Sequence, residues 1–247
     1  VGSDGGRPAG WLGRLGRRLL SGCERCRACS GLLPPSGSRL SLCPACAAAL
    51  APRVGGYCPR CGAMAEDPAA LPLLCPECRR WGRCWDGFAF HGRYEGLLRE
   101  LILGFKFSGD LGLGRLLAGL LAGSWQRAAM PAGPDCLVPI ALHPRRLSWR
   151  GFNQSLELAR FLAARLDRPV LPRALERIRD TRPQSSLPGP ERRGNILGAF
   201  AADPAQVAGR AVLLVDDVMT TGATIDTAAK ALRQAGACRV DVAVVAR

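Results

Sequence analysis

One stretch near the carboxyl end limits the choice of fold more than any other: Val212 to Thr224, VLLVDDVMTTGAT. Val212-Leu213-Leu214-Val215 is a continuous apolar run rich in β-branched residues, as expected of a strand buried on both faces of a parallel sheet. Asp216 and Asp217 follow at once, at the carboxyl end of that strand, where open α/β sheets bind ligands. Thr220, Thr221, Gly222 and Thr224 then make a turn of hydroxyls and glycine. Beyond it Ile225, Ala228, Ala229, Leu232 and Ala235 recur at helical spacing, and Gly236 offers a stop. A helix N-terminus presents unpaired N–H groups and the positive end of its dipole, which suits a phosphate. Gly222 lets the backbone approach closely, and the threonine hydroxyls add donors. Two carboxylates beside such a cradle would repel the phosphate unless they face something else, such as vicinal sugar hydroxyls or a bound cation. A ribose 5-phosphate with a free 2,3-diol meets both requirements. A surface turn with a capping threonine and a solvated Asp-Asp pair is the plainer alternative, but it leaves the order of the parts to accident.

The second strong signal is cysteine. Ten of the twelve cysteines lie between residues 23 and 84. They include Cys26-x-x-Cys29, Cys43-x-x-Cys46, Cys58-x-x-Cys61 and Cys75-x-x-Cys78. Each pair makes a tight knuckle that aims two thiolates at one ion, and two knuckles complete a tetrahedral zinc site. Short gaps favour sequential pairing: the first two pairs at one site, the last two at another, with one or two structural zinc ions in all. Crossed pairing stays open. So does the use of Cys23 with Cys26 in the first knuckle, because that spacing is the same. Cys84 has no close partner. His91 and His143 lie outside the cluster, which favours all-thiolate sites. So small a segment has little core of its own, so metal would supply its folding energy.

Between these two features the pattern alternates strand and helix. Phe88 to Tyr94 reads as a strand and Glu95 to Leu103 as a helix. Phe105 to Asp110 reads as a turn carrying Lys106, one of two lysines in the chain; a functional role and a solvated surface lysine are equally open for it. Leu111 to Arg127 reads as an amphipathic helix and Met130 to Pro134 as a linker. Cys136 to Ile140 is a buried-strand candidate opening onto a loop with Arg145, Arg146 and Arg150. Guanidinium groups bind phosphate oxygens bidentately and stay charged at any working pH, so this loop suits a diphosphate. His143 is either a proton carrier there or polar surface. A helix over 152–166, a short strand at 169–171 and further strands at Ile196–Ala201 and Val240–Val245 follow, the last with alternating valines. Arg173 to Pro190, rich in Arg, Pro, Ser and Gly, reads as a mobile lid or as a linker. Alternating strands and helices predict an α/β fold with a mostly parallel sheet and flanking helices.

Charge adds little. The formal net charge of +14 suggests an anionic partner, but only Lys106 and Lys230 are lysines among 34 basic residues. Such arginine bias, with abundant Ala, Gly and Pro, is compositional and says little about DNA. No apolar run is long enough to span a membrane. Trp11 to Leu20 mixes arginine into its apolar residues and lacks a signal-peptide core, leaving a basic amphipathic helix or a disordered leader for residues 1–22. A cytoplasmic location follows, with reduced thiols available to metal.

Val212–Thr224 resembles, position by position, the PRPP-binding motif of type I phosphoribosyltransferases. That resemblance implies that Asp216 and Asp217 hold the ribose hydroxyls of 5-phosphoribosyl 1-diphosphate (PRPP). It also implies that the loop of Thr220, Thr221, Gly222, Ala223 and Thr224 holds its 5-phosphate, with Val215, Val218 and Met219 also at the donor site. Over roughly residues 20–247 the chain is similar to the ComF family. The likeness rests on the four cysteine pairs, Tyr94-Glu95-Gly96, Phe105-Lys106-Phe107-Ser108-Gly109-Asp110, Val138-Pro139-Ile140 and Arg150-Gly151-Phe152-Asn153-Gln154. It continues through Arg177, Thr181, Gln184, Leu187, Arg192, Arg193 and Asn195. Ala141 departs from the second proline common in that loop.

This resemblance implies a zinc-binding module (residues 23–86) ahead of a phosphoribosyltransferase-like domain (residues 87–247). It also implies partners in natural competence: single-stranded DNA or competence proteins. The expected chemistry is glycosyl transfer at the anomeric carbon of PRPP to an unidentified acceptor, with Mg²⁺ bridging diphosphate and ribose oxygens. Arg145, Arg146 and Arg150 would stabilise the leaving diphosphate, with Lys106 also at the donor site. Asp216 and Asp217 would anchor the sugar. No general base stands out; the acceptor arrives nucleophilic, or Asp217 serves. A PRPP or nucleotide sensor without turnover, and a single-stranded-DNA-binding competence factor, are the competing readings.

Overall fold

The structure is a computed structural model and describes residues 24–33, 40–128, 130, 132–180 and 196–247. The leader, Cys23 and most of the expected lid lie outside the described residues. Two short helices, α1 (Pro44–Ala49) and α2 (Pro76–Trp81), each start from a cysteine followed by proline. Proline at the first helical position loses no hydrogen bond there, because that N–H has no intrahelical partner. Next come β1 (Gly87–Gly92), α3 (Gly96–Ser108), α4 (Leu111–Arg127), β2 (Cys136–Pro139), α5 (Pro144–Arg150) and α6 (Gln154–Leu166). The chain continues through β3 (Leu175–Arg177), β4 (Phe200–Ala202), α7 (Pro204–Val207), β5 (Ala211–Val218), α8 (Ala223–Gln234) and β6 (Arg239–Ala246).

Four strands form one parallel sheet in the order β1-β6-β5-β2, with Leu137 opposite Leu213 and Leu213 opposite Asp241. Strand β5 is therefore central, and consecutive residues face opposite layers. Val212 and Leu214 join Val240, Val242 and Val244 against Ile225, Ala228, Ala229 and Leu232 of α8. Leu213 and Val215 join Ala243 and Val245 against α3, α4 and α6, through Ile102, Leu117 and Leu162. Both faces of the sheet are covered, as the unbroken apolar run of β5 predicts. Strand β6 carries the alternating valines, and Val240 to Ala246 are buried without exception, because Val240, Val242 and Val244 meet one helical layer and Ala243 and Val245 the other.

Several local expectations need correction. Phe105 to Ser108 are not a turn; they are the last turn of α3. Leu98, Leu101, Ile102 and Phe105 make one buried stripe, so the helix continues until Gly109 adopts φ 66° and Asp110 caps α4. The arginines after β2 sit on α5 rather than in a loop, which starts at His143 and ends at Gly151 with φ 80°. Only Val170 of the expected strand at 169–171 pairs, by a single parallel bridge to Leu137. Ile196 to Ala199 are not extended, and Phe200–Ala202 pairs antiparallel with β3, apart from the main sheet. Among the described residues no helix is long and apolar enough to cross a membrane.

Leu213 is fully buried at the centre of the sheet, whereas Leu71 is exposed. Leu213→Ala is expected to cost about 2–5 kcal/mol in denaturant unfolding, and Leu71→Ala no more than about 0.5 kcal/mol.

Candidate functional site

Strand β5 runs through both aspartates and ends at Val218, and the next backbone bond, Met219 N–H to the Ala246 carbonyl at 3.0 Å, pins the start of the following loop to β6. Gly222 then takes φ 82° as the N-cap of α8, a conformation that disfavours any residue with a Cβ. Its carbonyl accepts from the Asp226 amide at 2.8 Å, and Thr221 Oγ1 accepts from the Ala223 amide at 3.4 Å. A cavity of about 340 Å³ opens here, lined by Tyr94, Lys106, Asp216 and the loop from Val218 to Ile225. Backbone amides at a helix N-terminus and the threonine hydroxyls give it donors suited to phosphate oxygens.

The carboxylates are held from the other side. Lys106 Nζ lies 3.1 Å from Asp217 Oδ1, with side-chain exposures of only 18% and 10%. Ser155, in the first turn of α6, donates from Oγ to Asp216 Oδ1 at 2.8 Å, and the Asp217 amide donates to the same oxygen at 2.9 Å. Asn153 sets that helix start: its side-chain oxygen accepts from the Ser155 amide, and its amide group donates to the Ile140 carbonyl at the end of the β2 segment. Burial, and next the charge of Asp217, push Asp216 up to about 7, against the opposing pull of Ser155, the Asp217 amide and Lys106. The pair thus favours one negative charge over two until a hydrogen-bond donor or a cation arrives.

The expected diphosphate residues are dispersed. Arg145 is 82% exposed and pairs with Asp180 at 3.0 Å; His143 Nδ1 is 3.5 Å from the same carboxylate. Arg150 donates to Gln154 Oε1 at 2.9 Å and lies over the Phe107 ring at 5.9 Å. Neither of these two, nor Arg146, lines the loop cavity. Arg146 meets Asp180 and Arg150 rather than the acidic pair; burial lowers its pKa, with Asp180 opposing. Burial also lowers that of Arg177 on β3, to about 10, with Arg146 as the next contributor and Asp216 and Asp180 opposing. Two guanidinium groups that repel each other, Arg177 among them close to Asp216, form an electropositive corner suited to an anion. Sequence reasoning gave no separate role to Arg177, Ser155 or Tyr94. Arg177 and Tyr94 appear there only as matched positions, and a serine in the first turn of a helix carries no signal of its own.

The eight paired cysteines form two sets, Cys26/Cys29/Cys43/Cys46 and Cys58/Cys61/Cys75/Cys78, with the sulfurs of each set within 4.8 Å of one another. This is the sequential pairing. Four sulfurs about 2.3 Å from one ion at tetrahedral corners stand about 3.8 Å apart; Cys29 and Cys43 are 3.8 Å apart and Cys61 and Cys75 3.7 Å. The donor sets fit zinc. Burial would raise the Cys26 and Cys58 thiols, but amide donors, from Cys43 and Cys75 first, bring them down to about 6 and about 7. Such amide donors stabilise thiolate in advance of a metal.

The phosphoribosyl transferase domain model matches residues 153–247. Competence protein F of Haemophilus influenzae is 33% identical over 77% of this chain and 84% of its own length. The chain belongs to the ComF family. DNA utilization protein YhgH of Salmonella typhimurium is 33% identical over 89% of the chain and 94% of its own. Competence protein ComFC of Bacillus subtilis is 30% identical over 79% of each. A solved glutamine PRPP amidotransferase from B. subtilis has 22% identity over 52% of this chain and 25% of its own, with a TM-score of 0.34. In this ComF chain the transferase-domain match takes in Ser155, both aspartates and the whole β5–α8 loop. It leaves out Lys106, the α5 arginines and both cysteine sets.

Because folding raises the pKa of Asp216, its contribution to stability is complete below about pH 4, the unfolded value, and is lost as pH rises through about 7. Asp216→Asn is therefore expected to flatten the fall in melting temperature between about pH 5 and about pH 8, read by paired thermal melts of the two proteins.

Proposed function

We propose that this ComF-family chain binds PRPP and transfers its phosphoribosyl group to an acceptor, with release of diphosphate. The carrying observation is the junction around one cavity of Asp216, of Lys106 paired with Asp217, and of a left-handed Gly222 at a helix N-terminus. In this reading the amides and hydroxyls from Thr220 to Thr224 hold the 5-phosphate. Asp216 and Asp217 accept from the ribose hydroxyls, and those donors favour the doubly ionised pair. Lys106 offsets the second charge. Arg146, joined by Arg177, faces the diphosphate and stabilises the charge that develops on it as the bond to the anomeric carbon lengthens. Arg145 and Arg150 act at the margin of that site. Mg²⁺, carried in with PRPP beside Asp216 and Asp217, would supply further positive charge for the departing diphosphate. The amide-preorganised thiolates support structural zinc in both cysteine sets, within a module spanning 23–86 ahead of a catalytic domain spanning 87–247. Four-thiolate sites persist in the reducing cytoplasm, where we place the protein. The names of the relatives support a role in DNA uptake or use.

A second reading has its own observation. Trp149 is 76% exposed on α5, the helix that also carries Arg145 and Arg150, and Phe107 is exposed beneath Arg150. Exposed rings interleaved with arginine suit stacked bases of single-stranded DNA.

Calorimetry with PRPP and Mg²⁺ is expected to show binding that Asp216→Asn/Asp217→Asn weakens about 10-fold or more. Diphosphate is expected to be released once an acceptor is found among nucleobases or orotate. Binding without release across that panel would leave a sensor in place of a transferase. Metal analysis is expected to give about two zinc ions per chain. Trp149→Ala is expected to weaken single-stranded DNA binding roughly 5- to 100-fold by loss of stacking, with an affinity that falls as salt rises. Equal affinity of Trp149→Ala and the parent chain would remove the second reading.

A further inference from the structure

The two cysteine sets are packed very differently. The first makes a small cluster of its own, in which Cys26, Leu33 and Cys46 meet Leu97 at the start of α3. The second is continuous with the main core: Cys58, Cys61 and Cys78 pack in the same cluster as Trp85, Met219 and Ala223. Met219 and Ala223 belong to the β5–α8 loop itself.

Trp85 is the joint. It is wholly buried, and its indole Nε1 donates to the Arg60 carbonyl at 2.7 Å, inside the Cys58–Cys61 knuckle. On its other side the ring walls the loop at its tightest point. A Cβ on Gly222 would stand 3.5 Å from Trp85 Cη2 and 3.4 Å from Met219 Sδ. The residue before it, Cys84, donates its amide to Asp226 Oδ1 at 3.2 Å, in the first turn of α8. Arg83 links back to the sulfurs: its guanidinium lies over the Trp85 ring at 5.7 Å and pairs with Glu77 at 3.0 Å. Residues 83–85 therefore touch the second cysteine set with one side and the loop with the other.

A metal ion would tie the four sulfurs to one point and so fix the knuckle that carries the Arg60 carbonyl; without it that constraint is gone. Trp85 then loses its hydrogen-bond anchor, and the loop loses a wall. We propose that the second cysteine set is a metal-dependent brace of the β5–α8 loop, with Trp85 as the positioning residue that transmits its order. Among the described residues the first set, resting on α3, has no such link to the loop. The bracing stands on packing alone; its consequence for PRPP rests on the functional reading above. Where PRPP binds, the coupling is reciprocal, so PRPP must tighten metal binding at the second set.

The test uses the full zinc-loaded chain and hydrogen exchange of the amides from Met219 to Asp226. Cys75→Ser, in the second set, is expected to speed their exchange about 10-fold or more, whereas Cys29→Ser, in the first, leaves them unchanged. Trp85→Phe keeps a ring but removes the indole N–H; it is expected to loosen the same amides at full zinc content. Equal loop exchange in the two cysteine variants, or Trp85→Phe protected like the parent chain, overturns the brace. Should Cys75→Ser not fold, chelator stripping of the parent chain decides: loop exchange rises with loss of one ion and not of the other, or the brace is wrong. Adding PRPP is then expected to raise the equilibrium affinity of that one site alone, read as a higher chelator concentration at half-loss of the ion. PRPP that binds without raising it overturns the coupling. PRPP that does not bind overturns the donor reading, and the exchange data still decide the brace.

Discussion

A strand buried on both faces that ends in two adjacent carboxylates is an unfavourable object, and the ion pair between Lys106 and Asp217 is what makes it tenable. Both side chains are largely shielded from water, so removing the lysine would leave a carboxylate partly desolvated and uncompensated. The position of Lys106 follows from the packing of α3. The stripe from Leu98 to Phe105 turns that helix onto the sheet, and Gly109 ends it one turn later, which puts the ammonium in the last turn. A cation there is also favoured by the helix dipole.

Asp216 is managed by a different element. Asn153 fixes the start of α6 against the Ile140 carbonyl, and the following turn brings Ser155 to the carboxylate. Both aspartates are thus constrained by helices of the layer that packs on Leu213 and Val215. The loop and α8 approach from the opposite layer, with Ile225 and Ala228 against Val212 and Leu214. The cavity lies where these two layers meet at the ends of β5 and β6. Its acceptors are restrained by one layer and its amide donors are supplied by the other, a division that lets a sugar phosphate bridge them.

The parts of this arrangement that are local were legible in the sequence. The strand, the acidic pair, Gly222 and α8 follow one another within a single segment, and each part has its own chemical signature. The cysteine sets were legible for the same reason, because each knuckle is a three-residue step. What could not be read is what depends on tertiary contact. Phe105 to Ser108 look like a turn because Phe, Lys, Phe and Ser carry little helical signal; burial of Phe105 against the sheet decides their conformation. Arg145, Arg146 and Arg150 look equivalent in a string. On a short helix they diverge, one into solvent beside Asp180, one toward Arg177 and one onto Phe107. Nothing in the sequence pairs Lys106 with Asp217 or Ser155 with Asp216, because these contacts join segments on different helices and strands.

The cysteine sets show how the same chemistry acquires different structural weight. Around the first, the buried cluster among the described residues holds Leu33 and two of the cysteines, so an ion there would hold together mainly its own knuckles. Around the second, the sulfurs share a core with β1, β5 and α8. Burying a metal–thiolate centre in that core would carry a solvation cost, and Arg83 would offset it: burial pulls its pKa down, but the hydrogen bond and charge of Cys78 and of Cys61 raise it overall. That expense is difficult to account for if the ion merely closed a surface loop. It is reasonable if the ion's geometry sets the wall against which Gly222 turns, since a phosphate-binding turn gains affinity from being rigid before the ligand arrives.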